Sequence, residues 1–411
     1  MGIEADWIAP IGDFELNWLE NGDEWLQKMR EISGYSGYVG YTEEGFTGRP
    51  VVIELRPDGS QPGNPRVLLI PDGGDTVTVA LAGTFPEVDN GTKAHWADIA
   101  QQATSALQIP ATTYKWVALI GEKPSQSAGR TIKLAEASQA LGMRLIPSDT
   151  ALWEPVINTV SSLSMETVSV SFPISVQGKS TARTWQHARK QASGELSRLA
   201  ALLALDWNID IDVRERPSLV QNWPPVSTPQ SPYWAKEIFE SPPEITEFTT
   251  VAVPDWIGDA RRKFTKNKKL ESAVAIHMEG IRISENHPSL ALVSFVSCIE
   301  AISLMIYREE KCSTCSGHMR IAVKFRETLK RVTTDAEANY LHRVYNDRSR
   351  TVHGGRLHGG ELGLGIRDFG VSSSPETEFA WEIVRRMKSA SRKLLLLALK
   401  NQLPQSRIHL E

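Results

Sequence analysis

Cysteine is scarce here: three in 411 residues, an odd and small number. That excludes a disulfide framework and fits a reducing compartment. No apolar segment near residue 1 has the pattern of a signal peptide, so the expected location is the cytoplasm. No internal repeat and no low-complexity tract interrupts the chain, and no His-x3-His pair or Ser-His-Asp constellation stands out. The simplest metallohydrolase and triad chemistries are therefore not indicated. Long apolar runs are limited to Ser289–Tyr307, which carries one charge, Glu300, in nineteen residues. Glu300 at its centre and amphipathic neighbours on either side make this a core helix rather than a membrane span.

A nucleotide loop is also missing. Gly178-Lys179-Ser180-Thr181 has the ending of a phosphate-binding loop, but its first glycine would fall at position 173, which is Pro173. Without the glycine-rich backbone nest nothing cradles a phosphate. Ser180 or Thr181 reads instead as the N-cap of a helix over Ser180–Leu205. No cofactor is expected.

What is present is asymmetric. Residues 260–411 hold 26 Lys+Arg against 16 Asp+Glu, a formal +10, and residues 1–259 hold 19 against 33, a formal −14. A basic C-terminal part suits encounter with a polyanion, while the acidic part would repel it or dock against the basic one. Six of the basic residues lie in Arg261–Lys269, which reads equally well as a solvated helix start. Eleven of the twelve tryptophans precede residue 260.

The expected fold is α+β and multidomain: an N-terminal mixed α/β domain over residues 1–215, a linker over 216–258, and a C-terminal all-α domain over 259–411. In the first part Leu16–Ile32 and Lys93–Leu107 read as helices. Val51–Leu55, Val67–Ile70 and Thr76–Leu81 read as strands. Tyr114–Ile120, Arg130–Leu141 and Arg144–Ile146 read as strand, helix and strand, a βαβ-like order. Val168–Val176 reads as one more strand. Residues 217–254 hold eight of the 23 prolines, and no regular element is expected there. Beyond it lie five helical patterns, at about 261–284, 288–308, 316–332, 334–353 and 376–401.

Chemistry concentrates near the end of the fourth pattern, in Tyr345-Asn346-Asp347-Arg348-Ser349-Arg350-Thr351-Val352-His353-Gly354-Gly355. Leu341, Val344, Tyr345 and Val352 form one apolar stripe, and Arg348 falls on it. A guanidinium there needs a partner, and Glu300, in its apolar run, needs a cation. The expectation is that Glu300 orients Arg348. His353 sits at the helix C-terminus, where the dipole favours its protonated form. Arg350, Arg356 and His358, in or before the glycine-rich stretch that follows, are candidate phosphate contacts.

Arg348-x4-His353 in a tyrosine-bearing, C-terminal helix resembles the catalytic motif of HEPN ribonucleases, most closely the Apea-like branch, over residues 265–400. Ser349 stands where that family more often carries Asn, Asp or His. The resemblance implies a metal-independent endoribonuclease in which His353 moves the 2′-hydroxyl or leaving-group proton. Arg348 would stabilise the phosphorane charge, with Glu300, Ser349 and Tyr345 in support. It further implies a homodimer, RNA as substrate, and a role in prokaryotic defence or toxin-type growth arrest, with a trigger sensed by the N-terminal domain. The rival expectation is a non-catalytic helical domain of this kind, used for dimerisation or RNA binding.

Two metal readings are weaker. Cys312-x2-Cys315-x2-His318 is half a zinc site, with His342 or His358 able to complete it, but a reduced, metal-free turn is the simpler reading. Asp210 and Asp212 alternate with Ile209, Ile211 and Val213, the pattern of a strand's solvent face rather than a nuclease metal pair.

Overall fold

The structure, a computed structural model, describes residues 7–35, 37–41, 52–56, 65–71, 75–83, 88–123, 131–148, 151–160, 163–223, 248–284, 287–307, 321–354 and 375–403. The side chains of 19–20, 37–41, 56, 153–169, 346–354 and 375–380 are outside that description. The chain mixes helix and strand, as expected. It divides into two compact units: Met1–Trp116, Lys179–Ala192 and Ser218–Gln221 form the first, and Val117–Gly178, Ser193–Pro217 and Asn222–Glu411 the second.

The first unit is built on an antiparallel sheet. Strands β1 (Trp7–Glu15), β2 (Gly37–Tyr41), β3 (Val52–Arg56), β4 (Arg66–Pro71) and β5 (Thr76–Gly83) lie in the order β1-β5-β4-β3-β2. The run Thr76-Val77-Thr78-Val79 alternates, and because successive strand side chains point to opposite faces, Val77, Val79 and Leu81 share one side. There they are buried with Val67, Leu69 and Leu55 beneath helices α1 (Trp18–Ser33) and α2 (Asn90–Ala106). The helices contribute Trp25, Met29, Trp96 and Ile99 to this core. Asp89 caps α2 by accepting from the Thr92 amide at 2.7 Å. The tryptophan load of this part is accordingly mostly core: Trp25 is fully buried and Trp18 packs edge-on against it at 6.3 Å.

A second five-stranded sheet follows the order β13-β6-β12-β9-β8, from β6 (Thr112–Glu122), β8 (Ser138–Ala140), β9 (Met143–Pro147), β12 (Ile174–Ala182) and β13 (Ile211–Val220). Several expectations are corrected here. Arg130–Leu141 is not a helix: β7 (Ile132–Leu134) and β8 occupy it, and no βαβ unit forms. Ile132 and Leu134 are buried at a spacing of two, the strand period. Leu141 (φ 52°) and Gly142 (φ 79°) then turn the chain so that Ala140 pairs with Met143. Positive φ at both central residues defines the tight hairpin turn that matches strand twist.

The strand expected at Val168–Val176 is broken at Phe172-Pro173, with β11 (Leu163–Ser171) paired to β10 (Leu152–Val160) before it and β12 after it. Helix α3 (Trp185–Trp207) starts later than expected. Ser180 lies in β12, where its hydroxyl accepts from Trp116 Nε1 at 3.1 Å, and Thr184 is the residue that caps α3, accepting from the His187 amide at 3.1 Å. Gly178–Thr181 is strand, not a loop opening a helix. Pro217, too, lies inside regular structure, in β13. That is an edge strand, where a missing donor is tolerated. Strand β14 (Thr249–Val251) pairs in parallel with β7; the prolines at 224–243 lie outside the described residues.

From Ile257 onward every described element is a helix: α4 (Ile257–Lys266), α5 (Lys268–Ile283), α6 (Pro288–Ile306), α7 (Ile321–Leu329), α8 (Asp335–Gly354) and α9 (Pro375–Leu399). The single helix expected over 261–284 is two, separated at Asn267, whose extended backbone (φ −142°) ends α4. Its side chain accepts from the Leu270 amide at 3.3 Å to start α5. Helix α6 is the centre of this bundle and packs on α5, α7, α8 and α9. By length and composition it is apolar enough to cross a membrane, yet Phe295, Val296, Ile299 and Ile302 are fully buried within the bundle. That is the expected core helix.

Candidate functional site

Helix α8 carries the Arg-x4-His motif. Its first turn holds Asp335 and Glu337, favourable at a helix N-terminus, and Leu341 and Val344 are buried against the bundle. Tyr345, one turn further, donates its hydroxyl to Glu300 Oε1 on α6 at 2.6 Å. The lone carboxylate of the apolar run thus meets a phenol from the motif helix. Phe325 of α7 tilts against the Tyr345 ring at 5.0 Å, and His342 stacks on it at 6.3 Å. Of the residues named from sequence, Glu300 and Tyr345 are brought together.

The backbone of Arg348, Ser349, Arg350 and His353 belongs to α8, which runs unbroken to Gly354. Their side chains lie outside the described residues, as do Arg356, His358, Cys312, Cys315 and His318 in full. Among the described residues, His342 Nε2 is buried without a hydrogen-bond partner. Burial and the nearby Arg326 guanidinium push its pKa down, against a hydrogen bond to the Ala322 backbone. Among the described residues no three His, Cys, Asp or Glu side chains are grouped to hold a metal ion. The described cysteine, Cys298, is buried in α6, with its thiol pKa pushed up by burial.

The basic run around Asn267 is largely occupied. Arg261 pairs with Glu195 at 3.4 Å, Arg262 with Asp259 at 2.6 Å and Lys268 with Glu271 at 3.0 Å, while Lys263 donates to the Leu399 carbonyl.

A second group of ionisable side chains centres on Glu122, which the sequence did not single out, and on Asp210, whose expected place on a strand's solvent face is corrected: it precedes β13 and its Oδ1 is buried. Glu122, at the end of β6, has its pKa raised to about 7 by burial, against the hydrogen bond from the Ile132 amide and the charge of Arg214. Asp210 is also raised, chiefly by burial, despite Lys123 Nζ at 3.8 Å. Among the described residues, Glu122 Oε2 and Asp210 Oδ1 are buried without a hydrogen-bond partner. Asp212 shows the plainer behaviour expected of it, accepting from the Val213 amide at 2.9 Å. The signal for Glu122 was its place at the end of an apolar strand, Trp116-Val-Ala-Leu-Ile-Gly-Glu122.

No family model matches the chain, and no curated protein or solved structure matches it.

Proposed function

We propose that the protein is a metal-independent endoribonuclease of the HEPN type, acting through Arg348 and His353. The observation that carries this reading is the α8 helix. It continues through both motif residues and is tied to the partly buried Glu300 by Tyr345, three residues before Arg348. Five residues on a helix advance about 7.5 Å and turn about 140° net of one revolution. A phosphate reaching both side chains therefore lies across the last turns of α8, and a second copy of the same helix would close the groove around it. In that arrangement His353 takes the 2′-hydroxyl proton or returns one to the leaving 5′-oxygen, and Arg348 balances the charge on the phosphorane. Glu300 and Tyr345 hold the helix that presents them, Ser349 supports the motif, and Arg350, Arg356 and His358 bind flanking phosphates. The products would be a 2′,3′-cyclic phosphate and a 5′-hydroxyl.

The test uses the full chain, total RNA and EDTA. Cleavage that survives EDTA in the wild type and falls by at least about a hundredfold in His353→Ala and Arg348→Ala is expected. RNA binding without cleavage in all three proteins would instead favour a non-catalytic, RNA-binding or dimerising bundle.

A further inference from the structure

The first unit contains a cavity of about 570 Å³ where the end of β1, the start of α1, the start of β5 and the last turn of α2 meet. That volume is in the range of small-molecule sites. Its polar lining has one sign of uncompensated charge. Glu15 and Asp75 come from adjacent strand ends, since β1 and β5 pair Glu15 with Thr76, and among the described residues neither carboxylate has a hydrogen bond or ion pair. The cation in the wall, Arg183, is already neutralised: its Nη1 donates to Glu24 Oε2 at 2.7 Å and its amide to Glu24 Oε1 at 2.8 Å. The C-terminus of α2 adds the negative end of a helix dipole, with no basic residue in its last turn.

We infer that this cavity binds a small organic cation, an amine or guanidinium that also carries hydrogen-bonding groups. The charge selects the cation. The amides of Asn21 and Gln108 supply neutral donors and acceptors for the rest of the ligand. A bare metal ion fits poorly, because among the described residues no group of three His, Cys, Asp or Glu side chains can hold one. The floor is set before any ligand arrives. Leu16 is buried, and Thr104 is fixed by accepting from Trp25 Nε1 at 3.0 Å and donating to the Ala100 carbonyl at 2.9 Å.

The site is independent of the ribonuclease reading, and its test reads binding rather than cleavage. Isothermal titration of the full-length protein with agmatine and with spermidine is compared with citrate as an anionic control. At least one amine is expected to bind with one site per chain, and citrate not at all. The isosteric double change Glu15→Gln/Asp75→Asn should weaken that binding about tenfold or more. Gln108→Trp, which fills the cavity from an exposed position, should abolish it while the far-ultraviolet circular dichroism stays unchanged. No binding of either amine, or equal binding by the double variant, overturns the assignment.

Discussion

His277 of α5 is an imidazole that folding keeps neutral. It is fully buried, its Nδ1 lies 2.9 Å from Ser391 Oγ of α9, and Phe295 of α6 tilts against the ring at 5.3 Å. The Ser391 hydroxyl donates to the Lys388 carbonyl at 3.0 Å, so it accepts from the ring, and the proton is assigned to Nδ1. Nε2 is left without a partner among the described residues. Burial first, then the charges of Lys388 and Arg392, pull its pKa down to about 3. The unfolded chain binds a proton below about 6.5 that the folded one refuses, so stability falls as pH drops from 6.5 towards 3, by up to about 1.4 kcal/mol per unit. Thermal melts across that range should show His277→Met losing this slope, and an unchanged slope would refute the assignment. Glu122 has the opposite sign. Its folded pKa near 7 lies above the unfolded value, so its carboxylate costs stability increasingly as pH rises from 4.5 through 7. Glu122→Gln should therefore raise the melting temperature more at pH 8 than at pH 5.

At the scale of elements, two glycines and one arginine decide how pieces meet. A Cβ on Gly280 would stand 2.7 Å from the Phe295 ring, so Gly280 lets α5 approach α6 closely. Gly280→Ala should cost about 1–3 kcal/mol by denaturant titration. Gly142, at φ 79° in the β8–β9 turn, has open space around it, yet any side chain there strains the backbone. Gly142→Ala should cost about 1 kcal/mol. Arg392 of α9 donates to the carbonyls of Leu205, at 2.6 Å, and Asp206, capping the C-terminal end of α3. Arg392→Ala should lose about 2 kcal/mol.

The same elements explain what sequence could and could not reveal. Helices α1, α2 and α6 and strands β3 to β5 were legible because one period dominates each stretch. Arg130–Leu141 was misread because Ala135-Glu-Ala-Ser-Gln-Ala140 is rich in helix formers, while its pairing partners lie in β9 and in β14, more than a hundred residues away. Propensity lost to pairing. In the site, charge in an apolar run pointed to Arg348 as the partner of Glu300; the Arg348 side chain lies outside the described residues, and the described partner is the Tyr345 phenol, which had been given only a supporting part. Glu122 was missed because its burial depends on β7 and β13 neighbours that no local window contains.

For the whole molecule, the uneven charge is expressed in how ion pairs are spent. Around Asn267 the cations are mostly engaged with carboxylates or a carbonyl, so the formal surplus overstates what a polyanion would meet there. RNA binding, if it follows the proposal, should rely on α8 and the residues after it. Neutralising Lys266 and Lys269 should then weaken RNA affinity less than neutralising Arg350 and Arg356, as read by filter binding over a salt series.

The placement of α6 also bears on synthesis. Its oily surface is covered on several sides, and one of the covering helices, α9, is translated only after α7, α8 and a long intervening stretch. Until then a nascent chain leaves the face of α6 that α9 covers open to solvent. A ribosome stalled ahead of Pro375 would thus hold a sticky half-bundle, a natural client for holdase chaperones.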